Sequence, residues 1–307
     1  MHQKLKLTIV GLAAVALAAC SGNGSSVPSL QHAGTQSTHA AGAPMAQNGS
    51  TIYMRTAFSS APTSDAPQTL RYNGGLIQRT PTIFVVYWGF NVSGSDPSGE
   101  QAYMTSFLKG VGHSPWLNTD HQYYEIVGGL QHKIQNPVSQ LKGTWVDSSS
   151  VPANPSELDV IHEAAAAEAH FGYKKNGSYV VATPHNHNTP GFGSSYCAYH
   201  GATSTPDGTI SYSNIPYMTD AGQNCGENFV NPGPQGVLDG VSIVEGHELS
   251  ESQTDPQPSS GWYNSTYGEI GDICAWQGLG NTVLRTGTYA VQPLWSNAAS
   301  NCVLSSP

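Results

Sequence analysis

Charge is scarce in this chain of 307 residues: Lys and Arg together number 11, Asp and Glu 20, and charged residues make up 10% of the whole. With a formal net charge of −9, it offers no basic patch for a phosphate backbone and no field that would draw it to acidic lipid. Nucleic acid is therefore excluded as a partner. Also missing are a Cys-x-x-Cys pair, a Gly-x-Ser-x-Gly elbow, a phosphate loop and a dinucleotide fingerprint. Their absence argues against thiolate metal sites, serine hydrolases and nucleotide enzymes. There is no internal repeat, and the one long apolar run, residues 7–19, is too short to span a bilayer.

That run follows a short basic start (His2, Lys4, Lys6) and leads into Leu17-Ala18-Ala19-Cys20, the pattern of a cleavable signal ending in a lipobox. The expectation is a signal peptide over residues 1–19 and a lipid on Cys20, so that the protein touches a membrane only through that lipid. An ordinary signal peptide with Cys20 at the cut by chance predicts export equally well. Residues 20–68, rich in Ser, Ala, Gly, Pro and Thr, hold too few large apolar residues to offset ordering entropy and read as a disordered tether. Residues 69–307 remain for one globular α/β domain.

Outside the signal the cysteines are Cys197, Cys225, Cys274 and Cys302, an even number in a compartment where disulfides persist. Three pairings exist. Joining sequence neighbours is the simplest, because each bridge would close a loop worth about 3 kcal/mol of restraint on the unfolded chain.

The β-branched and aromatic run at 82–88 predicts a buried strand, and 178–183 a second one stopped by Pro184. Helices are expected over 98–110 with Ser98 as cap, over 157–171 ending at Gly172, and over 237–253 ending at Asp255-Pro256. The stretch 184–234, dense in Gly, Pro, Asn and Ser, reads as loop. The result is an α/β fold with a buried sheet, flanking helices and long disulfide-stapled loops.

The third helix carries His247-Glu248-Leu249-Ser250-Glu251, an H-E-x-x-E string. Residues four apart stand one above the other on a helix, so His247 and Glu251 can close on one cation. Glu248 is turned about 100° away, as suits a general base acting on metal-bound water. On an exposed helix the same string would simply face solvent. Downstream, Gly268-Glu269-Ile270-Gly271-Asp272-Ile273-Cys274 offers a third ligand, Asp272 favoured slightly over Glu269 because it lies nearer the bridged Cys274. The plain alternative makes Asp272 a turn residue and Glu269 a solvated one. Zinc is the expected cofactor, and calcium held by Asp255, Glu269 and Asp272 is the alternative, since carboxylate oxygens suit it. His185 and His187, which an extended His-x-His segment would project the same way, and His200 beyond Cys197 could supply further ligands or bind substrate. His162, Glu163, Glu168 and His170 on the second helix read as a solvated face.

Taken together, Leu70-Arg71-Tyr72-Asn73-Gly74-Gly75, Val86-Tyr87-Trp88-Gly89, Pro115-Trp116, the segment from Cys197 to Gly201, Cys225 and Asp239-Gly240 make the folded region similar to the Exordium, or phosphate-induced, family of extracellular proteins. Plant members lack the His-Glu pair, so their association with growth signalling says nothing about chemistry here. From His247 to Trp276 the chain looks more like a group of secreted microbial proteins that are candidate zinc peptidases. What this resemblance implies is a zinc-dependent hydrolase acting on a peptide or protein substrate. The alternative is a non-catalytic envelope or cell-wall protein whose site is structural or binds calcium. Oligomeric state and cleavage preference are not readable from the sequence.

Overall fold

A strand that is apolar at every position must be covered on both faces, and the run at 82–88 is indeed buried in the middle of a sheet. The computed structural model describes residues 45–47, 51–60 and 68–306. The signal segment and Cys20 lie outside the described residues. In chain order the principal elements are β1 (Met45–Gln47), β2 (Thr51–Arg55), β3 (Thr82–Trp88), α1 (Glu100–Gly110), β4 (Leu141–Asp147), α2 (Glu157–Phe171), β5 (Gly177–Ala182), β6 (Tyr196–Thr205), β7 (Gly208–Ile215) and α3 (Asp239–Thr254). The strands form one mixed sheet in the order β1-β2-β6-β7-β5-β3-β4. Pairings from β7 through β5 and β3 to β4 are parallel, and those from β1 through β2 and β6 to β7 antiparallel.

Successive side chains of β3 divide between two cores. Phe84, Val86 and Trp88 pack with Val160, Ala164 and Ala167 of α2, while Ile83, Val85 and Tyr87 join Phe107 of α1 and Val241 and Val244 of α3. The molecule is thus three-layered, with α2 on one face of the sheet and α1 and α3 on the other. The sequence accounts for α2 well: Ser156 Oγ accepts the Asp159 N–H, the Asp159 carboxylate accepts the Ser156 N–H, and Gly172 ends the helix at φ 82°. A hairpin of Gly280–Leu284 with Gly287–Val291 closes over α1 and α3. Disulfides join Cys197 to Cys225 and Cys274 to Cys302, as expected for sequence neighbours, with Cα–Cα distances of 5.5 and 5.7 Å.

Four expectations need correction. The tether cannot run to residue 68, because Thr51–Arg55 is a fully buried strand bonded to β6 on one side and β1 on the other; five residues suffice when the sheet satisfies the strand's backbone groups. The stretch 184–234 holds the β6–β7 hairpin as well as loops, and Tyr196, Tyr199, Ile210, Tyr212 and Ile215 of that hairpin are buried. Ser98 does not cap α1: the Asp96 carboxylate accepts the N–H groups of Glu100 and Gln101, at 2.7 and 3.3 Å. On α2, His162 and His170 are exposed, but Glu163 and Glu168 are buried by neighbouring structure. Burial and the adjacent Asp147 carboxylate push Glu163 up to about 8.

Candidate metal centre

A helix buried on every side is normally apolar throughout. All sixteen residues of α3 are buried, yet Glu245, His247, Glu248 and Glu251 occupy its middle. The helix lies between β6 and β7 on one side and α1 with the 287–291 strand on the other, so none of these groups reaches water. Polar groups removed from water must find partners within the protein or a bound ion.

His247 and Glu251 meet as the helical spacing requires, Nε2 to Oε1 at 2.9 Å. Asp272 Oδ1 comes within 3.8 Å of the same nitrogen. The local sequence makes this approach feasible, since a Cβ on Gly271 would fall 2.6 Å from His247 Nδ1. Gly268, at φ 87°, likewise clears Asp272, whose Oδ2 would be 2.1 Å from a Cβ there. The Gly residues around Glu269 and Asp272 are therefore packing requirements of the centre.

His200 enters from β6. Its Nδ1 lies 3.3 Å from Glu248 Oε2 and 3.4 Å from Glu251 Oε2, and its Nε2 lies 3.6 Å from Glu269 Oε1 and 3.3 Å from the Asp255 carbonyl. Two sets of ligand-type atoms lie within 4.8 Å of one another: His247, Glu251 and Asp272, and His200, Glu251 and Glu269. Every one of these side chains is at most 2% exposed.

The electrostatics are severe. Burial alone would lower the affinity of His200 for a proton, but Glu248 and Glu251 outweigh it and hold the imidazole up at about 10. Glu251 outweighs burial in the same way at His247, which is held at about 9. Burial would raise Glu251, yet His247 and His200 pull it down to about 2. Asp272 is raised to about 7, first by burial and then by the charge of Glu251. Glu269 and Glu245 are pushed well above the carboxylate range, by burial first and by neighbouring carboxylates second.

Of the candidate residues, the structure brings together His247, Glu251, Asp272 and Glu269, and adds His200 from the set of possible further ligands. Glu248 lies on the same cluster, its Oε2 approaching the His200 nitrogen that Glu251 Oε2 also approaches. The Asp255 carboxylate accepts the N–H groups of Ser259, Ser260 and Gly261 and lies beside Glu269, but it belongs to neither group of converging ligand atoms. His185 and His187 do not join. Asn186 adopts φ 65°, which turns the segment, so that His185 pairs with Asp220 and His187 Nδ1 donates to the Pro152 carbonyl. These two histidines line a separate cleft of about 520 Å³ that shares no residue with the cluster. Missed altogether were Glu245, Gln292 and Arg55. Gln292 Nε2 donates to the Gly271 carbonyl at 2.9 Å, which leaves its Oε1 facing His247 Nδ1 at 3.3 Å. No motif marks that glutamine, and Arg55, whose charge acts on Asp272, lies in the expected tether.

Tyr263 is half-buried and lines a cleft of about 460 Å³ with Arg71, Asn73 and Ser259. Its hydroxyl is shifted up by burial and then by Glu269, Asp272 and Asp255. No protein-family model matches the chain, and comparison with curated proteins and with solved structures likewise finds no match.

Proposed function

We propose that the protein is an exported zinc-dependent hydrolase of peptide bonds, with the metal held by His247, Glu251 and Asp272 and Glu248 as general base. The carrying observation is His247. Its Nδ1 faces the Gln292 carbonyl oxygen and its Nε2 faces Glu251 Oε1, so both ring nitrogens point at acceptors. A neutral imidazole has one N–H, which leaves a lone pair against a carboxylate unless a second proton or a cation lies between them. With Nδ1–H donated to Gln292, Nε2 is oriented as a metal ligand usually is, by a hydrogen bond from its other nitrogen. Bound zinc would lower the pKa of a water and polarise a carbonyl. Glu248 would take the proton from that water. Glu269 is the alternative third ligand.

Closed coordination is the habit of structural zinc, whereas catalytic zinc keeps a position open. The complete burial of the cluster therefore favours a second reading, a non-catalytic Exordium-like envelope protein with a closed metal centre of zinc or calcium. The two disulfides are consistent with an extracytoplasmic location, and among the described residues no helix is long and apolar enough to cross a membrane. Anchoring through lipid on Cys20 belongs to the proposal.

Elemental analysis of the purified protein, with peptide-library hydrolysis, separates these readings. For a hydrolase, Glu248→Gln keeps zinc and fold while turnover drops by roughly 10² to 10⁴, the usual worth of a positioned base. His247→Ala loses zinc and activity together. Metal without hydrolysis moves the protein to the structural reading, and a wild type with no metal sinks both.

A further inference from the structure

Glu251 is placed between two imidazoles, one on each of its oxygens. Oε1 lies 2.9 Å from His247 Nε2, and Oε2 lies 3.4 Å from His200 Nδ1. His200 repeats the predicament of His247. Its Nδ1 faces Glu248 and Glu251, and its Nε2 faces the Asp255 carbonyl at 3.3 Å and Glu269 at 3.6 Å, so both ring nitrogens point at acceptors and a neutral ring would leave one lone pair against oxygen unless a second proton or a cation lies between. Each oxygen of one carboxylate is thus met by a ring nitrogen of a different histidine.

A carboxylate in that position is the bridge of a two-metal site. We infer that the centre holds two divalent cations: one on His247, Asp272 and Glu251 Oε1, the other on His200, Glu269 and Glu251 Oε2, with Glu251 shared. This rests on the reading of a metal at His247 and extends it to a second site.

Two independent observations support the second position. The Glu269 side chain is 0% exposed, its Oε1 is 3.6 Å from His200 Nε2, and its neighbour is a second buried carboxyl group, that of Asp255. Buried carboxyl groups set against each other are costly, and a cation beside them removes the cost. Charge balance points the same way. Glu245, Glu248, Glu251, Asp255, Glu269 and Asp272 are all buried around the two rings, with Arg55 as the nearby cation. If both imidazoles are neutral ligands, carboxyl groups held in a dry interior can take their charged form only against cations, and two positions accommodate more of them than one. Carboxylate and imidazole together suit zinc, manganese or cobalt better than calcium.

The experiment uses the mature, disulfide-bonded protein and the metal alone as probe. Protein freed of metal by chelation is titrated with zinc and, separately, with cobalt, read by elemental analysis and by electron paramagnetic resonance. The expected result is two cations per chain, with the cobalt signal per metal reduced because the two spins couple through the Glu251 carboxylate. Glu269→Gln, nearly isosteric, should bind one cation with an uncoupled signal, as should His200→Ala. Melting curves of the metal-free variants show that they are folded. Saturation of the wild type at one cation, unchanged by Glu269→Gln but lost in His247→Ala, overturns the second site and leaves the first. Two cations without spin coupling overturn the bridge, and two in Glu269→Gln overturn its ligand set. A wild type that binds none, with both rings doubly protonated at neutral pH by nitrogen NMR, overturns this inference and the reading beneath it.

Discussion

Gly271 has no side chain because the imidazole of His247 occupies that space. An added methyl would sit 2.6 Å from Nδ1 and 2.8 Å from the ring carbons, closer than real contacts allow. The ring is held in the buried core by Gln292 and Glu251, so it would have to tilt away from both. We expect Gly271→Ala to fold but to lose zinc affinity by about 10- to 100-fold, the range typical when a ligand's supporting contacts are disturbed. Competition against a chromophoric chelator measures it, and an affinity equal to wild type would show that the ring is not aimed by this contact. At this scale the sequence was informative where spacing carries geometry: His247 and Glu251 four apart, Glu248 turned aside, and Glu269 and Asp272 among glycines. It was silent on Glu245 and Gln292, because nothing local distinguishes a buried carboxyl or amide from a solvated one. His185 and His187 misled for the opposite reason, since the positive φ at Asn186 cancels the period of two on which their pairing relied.

β2 is the element whose role is furthest from what its composition implies. Ile52, Tyr53 and Met54 are all buried, Ile52 lies opposite His200 in the register, and Trp276 Nε1 donates to the Arg55 carbonyl at 2.7 Å. Burial of three large side chains is worth roughly 1.5–3 kcal/mol each, of the order of a typical domain's whole stability. A chain starting at residue 69 should therefore fail to melt cooperatively by circular dichroism, whereas one starting at residue 45 should do so. Equal melting temperatures for the two would mean that β2 is dispensable. Long elements with strong internal signals were legible: β3 and α2 have the bounds their patterns predict, and α3 stops at Asp255 as expected. β2, β6 and β7 were not, because β2 takes its register from a strand far away in sequence and a Ser- and Gly-rich hairpin such as β6–β7 looks like loop until its partners are present. The polar composition of α3 concealed its burial for a related reason. Periodicity reports an amphipathic face, and this helix has none.

Across the whole molecule, the residues of the proposed centre come from three distant stretches, and both stretches outside α3 are fastened by sulfur. Cys197 precedes His200 on β6, and Cys274 follows Asp272. With both bridges open, the strand that carries His200 and the loop that carries Glu269 and Asp272 lose their covalent restraint, and roughly 3 kcal/mol per bridge returns to the unfolded chain. Reduction with a phosphine that does not chelate zinc should release metal from the native protein, followed by elemental analysis after desalting, while the oxidised control keeps it. Retention of metal by fully reduced, folded protein would show that the bridges are irrelevant to the centre. The disulfides persist where thiols are not kept reduced, so the chain would leave its site of synthesis unable to hold the ion that completes it. Its maturation would then be timed by geography: a cell that makes such a protein would be spared its chemistry, and only on the far side of the membrane would oxidation let the ion settle.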